Sequence, residues 1–182
     1  MLRLFYAIDL PDVLKSRLEK VNAQPGIFGS HVKPVKGASF HLTMLFLGDQ
    51  PEGNLKALGE AGKNSVLTAR PCELVIGKAG FFPRVSFLTL TGDIETLAFI
   101  SMNLAVECEK YLEKPETRPF KAHVTIARHK KPVSRSEKET ITEMFREFEG
   151  ERIRIEGLVL FKSELTRSGA IYTILEKFPF SG

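Results

Sequence analysis

The chain alternates short apolar runs with amphipathic stretches, and the spacing of its apolar residues predicts most of its elements. Leu2, Leu4, Tyr6 and Ile8 alternate with Arg3, Phe5 and Ala7, so residues 2–9 read as a strand. Pro11 suits the first turn of a helix, and Leu14, Leu18 and Val21 follow along one helical face. Residues 22–37 contain Pro25, Gly26, Gly29, Pro34 and Gly37. They read as a loop with a short strand near His31 to Val35, placed either to touch a substrate or merely to connect. Phe40 to Gly48 is a predicted strand. Pro51 then opens a helix whose buried side is Leu55, Leu58 and Val66. Gly59 and Gly62 either weaken that helix or allow close packing.

Residues 72–82 and 85–91 are predicted strands joined by a tight turn at Pro83-Arg84. Asp93 is expected to cap a helix reaching about Glu113, with the stripe Leu97, Ile100, Leu104, Cys108 and Tyr111. Phe120 to Arg128 is another strand. Ser134 and Glu137 have the spacing of a capping box, for a helix to about Phe148 that buries Ile141, Met144, Phe145 and Phe148. Two strands close the chain, residues 152–162 and 170–178, with a turn at Ser168-Gly169. The apolar parity shifts at Gly157, from Ile153 and Ile155 to Leu158 and Leu160, which predicts a bulge there.

The order helix, strand, helix, strand, strand occurs twice, over residues 11–92 and 93–178. The expectation is one α+β domain, residues 1–182, built as two lobes related by a pseudo-twofold. Each lobe would hold an antiparallel sheet flanked by helices, with a cleft between them.

The repeat carries its chemistry on the strand after the first helix. That strand holds His41-Leu42-Thr43-Met44 in one half and His123-Val124-Thr125-Ile126 in the other, 82 residues apart. Side chains two apart on a strand share a face, so each copy presents an imidazole beside a hydroxyl. A single copy is most simply a core-facing pair bonded to nearby backbone. Two copies in equivalent strands would face each other across the axis. Imidazoles titrate near neutrality, so one can be protonated while the other is neutral, as general acid and base require. Threonine hydroxyls donate to anionic oxygens, and Arg128 offers a planar fork for a phosphate. The spacing of Arg128 is awkward, five residues after His123. In a straight strand it points away from the imidazole, as a solvated member of the run Arg128-His129-Lys130-Lys131. It joins the site only if the strand bends or ends.

Composition narrows this reading a little. The net charge of +4 and a pI of about 9.1 lean toward anionic partners such as RNA or nucleotides. The histidines and cysteines make no H-E-x-x-H or C-x-x-C spacing, so neither a metal nor another cofactor is expected. Cys72 and Cys108 form no disulfide framework, which suits a reducing compartment. Residues 1–10 lack the pattern of a secretory leader, and no apolar run approaches the length of a membrane span. A cytoplasmic protein with no membrane partner is expected, monomeric by default.

The stretches FHLTMLFLGD and FKAHVTIARHK resemble the two motifs of the two-histidine phosphoesterases. With the opening RLFYAIDLP and the closing LFKSELTRSGAIYTILEKF, the chain looks most like the RNA 2′,3′-cyclic phosphodiesterase branch, also called the 2′-5′ RNA ligase family. That resemblance spans nearly the whole chain. It implies a bilobal α+β fold and metal-independent hydrolysis of RNA 2′,3′-cyclic phosphate ends, tRNA fragments among them, to 2′-phosphate ends. It also implies a capacity to form a 2′-5′ bond. His41 matches the acid for the leaving 3′ oxygen and His123 the base for water, although a near-symmetric site could exchange those roles. Thr43, Thr125 and Arg128 match the phosphate-binding groups. Two departures, Met44 after the first Thr and the absence of Trp, leave the RNA preference open. Phe5 is a candidate to stack on a terminal base, with a core position as its alternative. The other readings are a phosphodiesterase for small cyclic nucleotides or 2′-5′ oligonucleotides, and an RNA-end binding protein without turnover.

Overall fold

The computed structural model describes residues 1–166 and 169–181. The elements, in chain order, begin with β1 (Leu2–Asp9), α1 (Asp12–Asn22), β2 (Val32–Pro34) and β3 (His41–Gln50). They continue with α2 (Leu55–Ser65), β4 (Cys72–Phe82), β5 (Val85–Gly92) and α3 (Ile94–Glu107). The last are β6 (His123–His129), α4 (Arg135–Met144), β7 (Arg152–Ile155), β8 (Gly157–Thr166) and β9 (Gly169–Pro179). Of the expected turn at Ser168-Gly169, Ser168 lies outside the described residues.

The strands form two antiparallel sheets. One has the order β3-β1-β8-β9 and holds His41; the other has the order β2-β6-β5-β4-β7 and holds His123. The hairpin that follows each His strand in sequence therefore pairs into the sheet of the other. β4 and β5 lie with β6, while β8 and β9 join β1 and β3. This exchange knits the two lobes together, and β3 packs directly against β6 where the lobes meet.

The parity shift at Gly157 has a different cause from the bulge expected there. β7 pairs with β4 in one sheet, and β8 pairs with β1 and β9 in the other. The chain changes sheets at Glu156, so the inward face changes with it. Gly157 is needed at this step, because a Cβ there would meet the Phe178 carbonyl oxygen at 2.8 Å.

Two helix ends also differ from expectation. Asp93 does not cap α3 with its side chain; its carboxylate accepts the Glu73 backbone N–H at 2.8 Å instead. α3 stops at Glu107, six residues early, and gives way to a single 3-10 turn at Glu109–Tyr111. The stripe Leu97, Ile100, Leu104 and Cys108 is nonetheless buried. The capping box of α4 forms as expected, with Ser134 accepting from Glu137 N–H and Glu137 accepting from Ser134 N–H.

One apolar cluster joins both sheets and all four helices, from Leu4 and Leu18 through Leu58 and Leu104 to Ile126, Ile141 and Leu158. Its burial supplies most of the driving force for the fold. Gly62 lets α2 settle onto this core: a Cβ would lie 2.7 Å from the Phe178 ring and 3.0 Å from Tyr6. The Tyr6 hydroxyl donates to the Leu58 carbonyl, so the buried phenol is satisfied.

A second, smaller cluster lies on the other face of the His41 sheet. It consists of Phe5, Ala7, Val159 and Phe161, with Tyr172 half-buried against them. These residues form the floor on which the His41 side chain rests.

Candidate active site

Both His strands bend in the same way. Along β1, Ala7 faces Thr43 and Tyr6 faces Leu45, which leaves Met44 as an extra residue. Along β5, Phe87 faces Thr125 and Ser86 faces Ala127, which leaves Ile126 as the extra residue. These are bulges at equivalent positions, and each reverses the alternation of the strand. In β3, Met44 and Leu45 are consecutive buried residues, followed by exposed Phe46. In β6, Ile126 and Ala127 are buried and Arg128 is exposed. The odd step from His123 to Arg128 is thereby absorbed, and Arg128 opens on the same side as the imidazole and Thr125.

The two imidazoles are anchored alike. His41 Nδ1 lies 2.8 Å from the Ser39 carbonyl oxygen, and His123 Nδ1 lies 2.7 Å from that of Lys121. A carbonyl only accepts, so each Nδ1 carries a hydrogen and donates it two residues upstream. That leaves each Nε2 for the cleft. His41 Nε2 lies 3.0 Å from the Thr43 hydroxyl. Fixing the tautomer through one nitrogen frees the other to give or take a proton.

Aromatic rings hold both histidines in place. The His41 ring lies 5.0 Å from Phe5 and edge-on to Tyr172 at 5.2 Å. The His123 ring meets Phe87 at 5.3 Å and Phe82 at 5.8 Å, both near perpendicular. Phe5 is 3% exposed, so it offers no open face to a base and instead packs the His41 ring. Tyr172, Phe82 and Phe87 could have been suspected from sequence only by pairing the strands. Tyr172 reaches the site because β9 lies two strands from β1, and strand order is not written in local periodicity.

Electrostatics tie the two strands to one centre. Burial pushes the His41 pKa down to about 4. The charges of Arg128 and His123 push in the same direction, while the Ser39 carbonyl and Asp9 oppose them. Arg128 also lowers the phenol pKa of Tyr172, although burial raises it overall. Arg128 of one sheet is therefore within electrostatic reach of His41 and Tyr172 of the other. Asp9 stands opposite His41 on β1, and its carboxylate is held by Lys15 at 2.7 Å.

A pocket of about 390 Å³ opens beside Thr43 and His123, walled by Phe46, Phe82, Phe120 and Lys121. Among the described residues no group of three or more His, Cys, Asp or Glu side chains is placed to share a metal ion.

Two strands from equivalent halves thus present two imidazoles with their tautomers set by backbone carbonyls, two hydroxyls and one guanidinium, groups that suit proton transfer and anion binding. The chain belongs to the LigT-like phosphoesterase family, whose model matches it twice, over residues 8–86 and 94–172. It is 32% identical to the RNA 2′,3′-cyclic phosphodiesterase of Thermus thermophilus, over 100% of this chain and 91% of that protein. It is 28% identical to the protein of the same name in Methanothermobacter thermautotrophicus, over 97% of both chains. A Thermus thermophilus crystal structure superposes with a TM-score of 0.78 at 30% identity, covering 98% of this chain and 97% of that one. Escherichia coli LigT complexed with 3′-AMP shares the fold, with a TM-score of 0.76 at 22% identity, over 100% and 99% of the two chains.

Proposed function

We propose that the chain hydrolyses RNA ends carrying a 2′,3′-cyclic phosphate to 2′-phosphate ends, by general acid and base catalysis and without a metal, with residues 1–182 acting as one catalytic unit. The observation that carries this reading is the matched pair of histidines. Each gives its Nδ1 hydrogen to a carbonyl two residues upstream and keeps Nε2 for the cleft. A protein that only held RNA ends would have no use for an acid and base couple. The names of the full-length relatives point to the same substrate.

In this reading His123 Nε2 takes a proton from water, and the water oxygen attacks phosphorus. The bond from phosphorus to O3′ breaks, and His41 Nε2 delivers a proton to O3′. The phosphate stays on O2′. Thr43, Thr125 and Arg128 hold the non-bridging oxygens as charge redistributes. His41 is neutral in the free protein near pH 7 because of its low pKa. The cyclic phosphate brings a negative charge between His41 and Arg128, which offsets the guanidinium and raises the imidazole pKa on binding. If a 5′-hydroxyl replaces water as nucleophile, the same two proton transfers join two RNA ends through a 2′-5′ bond.

The substrate is RNA, met by a chain of net charge +4. Among the described residues no helix is long and apolar enough to cross a membrane. The protein works in the cytoplasm as a monomer. The direct test is incubation with an RNA oligomer ending in a 2′,3′-cyclic phosphate, in excess chelator, with the product end identified. A 2′-phosphate product is expected. A 3′-phosphate product, or activity only when a metal is restored, overturns the mechanism.

A further inference from the structure

β2 is three residues long and belongs to the 22–37 loop, yet it is held firmly against β6. The buried Asn22 amide donates to the Val35 carbonyl at 2.8 Å and to the Ile126 carbonyl at 2.9 Å. Val35 N–H donates to that same Ile126 carbonyl at 2.9 Å. Ile126 is the bulge residue, so β2 is tied to the bend that turns Arg128 toward the cleft.

The register this enforces sets Lys33 directly opposite Arg128. Directly opposed residues of an antiparallel pair project on the same face, and like charges there are unfavourable. Both side chains are exposed, and among the described residues neither is paired with a carboxylate. A lysine that merely blunts an edge strand has no need of an arginine as its cross-strand partner. The tip of the other sheet's last hairpin lies alongside: a Cβ on Gly169 would sit 3.6 Å from the Lys33 ammonium. The Ser39 hydroxyl donates to the Ala170 carbonyl of that tip at 3.4 Å. Two cations without a carboxylate partner among the described residues thus share one face at the edge of this sheet, and the charge of one of them reaches His41.

We propose that Lys33 binds the phosphodiester immediately upstream of the reacting cyclic phosphate that Arg128 holds, so that the RNA chain leaves the site across β2. This rests on the function proposed above and adds a specificity: an oligonucleotide end is preferred to a mononucleotide. Arg128 faces the reacting phosphate and Lys33 the next one. Two successive phosphates convert this repulsive pair into two charge-assisted contacts.

The test compares a mononucleoside 2′,3′-cyclic phosphate with an RNA trimer ending in the same group, for wild type, Lys33→Ala and Lys33→Arg. Lys33→Ala is expected to lower kcat/KM on the trimer roughly tenfold more than on the mononucleoside, the size of one charged contact. Lys33→Arg should restore most of it. The salt dependence of trimer affinity should flatten by about 0.7 in log-log slope for Lys33→Ala, one phosphate contact on a single strand. Equal losses on both substrates, or none on the trimer, overturn the subsite. If wild type turns over neither substrate, the hydrolase reading fails by itself. Fluorescence anisotropy with a labelled RNA trimer then decides the subsite: weaker binding by Lys33→Ala supports it, and unchanged binding overturns it.

Discussion

Phe46 stands five residues after His41, and Arg128 stands five residues after His123, each exposed just beyond an equivalent bulge. The backbone repeats, but the side chains at this one pair of positions differ in kind. Phe46 carries the Arg3 guanidinium over its ring at 4.7 Å and lines the pocket beside Thr43. The charge of Arg128 reaches His41 and adds to burial in lowering its pKa. The two imidazoles therefore sit in unlike surroundings, with an exposed arginine beyond the second bulge and an exposed phenylalanine beyond the first.

Arg128 should accordingly matter far more than a solvated arginine. Arg128→Ala is expected to lower kcat/KM by roughly 10² to 10³, the cost of losing one preorganised donor to a developing charge. Arg128→Lys should recover only part, because an ammonium lacks the planar fork. Steady-state kinetics on a cyclic-phosphate RNA end check this, and a loss below about threefold contradicts it.

The depressed pKa of His41 predicts two pH effects. The first is on stability. Unfolding returns the imidazole to its ordinary value of 6.5 from about 4, so the unfolded chain binds the extra proton between those values. His41 thus contributes stability that is complete above pH 6.5 and is lost as pH falls toward 4. Denaturant unfolding of wild type and His41→Asn across that range should show the variant losing less on acidification.

The second effect is on rate. His41 acts as the acid and must carry its proton, so its titration sets the alkaline limb; that of kcat/KM, which reports the free enzyme, should fall from near pH 4. The alkaline limb of kcat should lie higher, because the bound phosphate raises the His41 pKa. Coincident limbs contradict the proposed pairing of His41 with substrate charge.

Close packing of α2 makes a prediction that does not involve the reaction. Gly62→Ala should cost about 1–3 kcal/mol through overpacking against Phe178 and Tyr6. Gly53→Ala, where a Cβ meets nothing within 4 Å, should stay near wild type. Urea midpoints distinguish the two, and equal midpoints contradict the packing account.

Asn22 should be the fastening of β2. Asn22→Ala leaves the Val35 carbonyl without its amide and is expected to cost about 1–3 kcal/mol. Hydrogen exchange at the Val35 amide, which donates to Ile126, should speed up more than exchange in β5. Uniform acceleration would mean a global loss instead.

Much of this arrangement was legible in the sequence. The His-x-Thr pairs, the capping box of α4 and the hairpin at Pro83-Arg84 follow from local spacing, and so does the repeated element order apart from the division of the expected strand 152–162 into β7 and β8. What was not legible depends on strand order. The parity shift at Gly157 has the same local signature whether a strand bulges or the chain changes sheets, and only the partners of β7 and β8 separate the two. The side of β6 on which Arg128 opens turned on an extra residue at Ile126, which apolar spacing alone does not reveal. Phe5 was a candidate base platform because its strand alternates. Its burial comes from Phe161 and Tyr172, more than 150 residues away in the chain. Asp93 has a capping residue's identity, but the start of β4 offered its carboxylate a better donor.

The most direct measurement follows one RNA end through three proteins. Wild type, His41→Ala and His123→Ala are incubated with an RNA oligomer ending in a 2′,3′-cyclic phosphate, in excess chelator, and the product end and the affinity are both read. The account predicts a 2′-phosphate product from wild type and a loss of at least roughly 10² in turnover from each variant, with affinity changed little. Turnover retained in either variant, with the same product, would contradict acid and base catalysis by this pair.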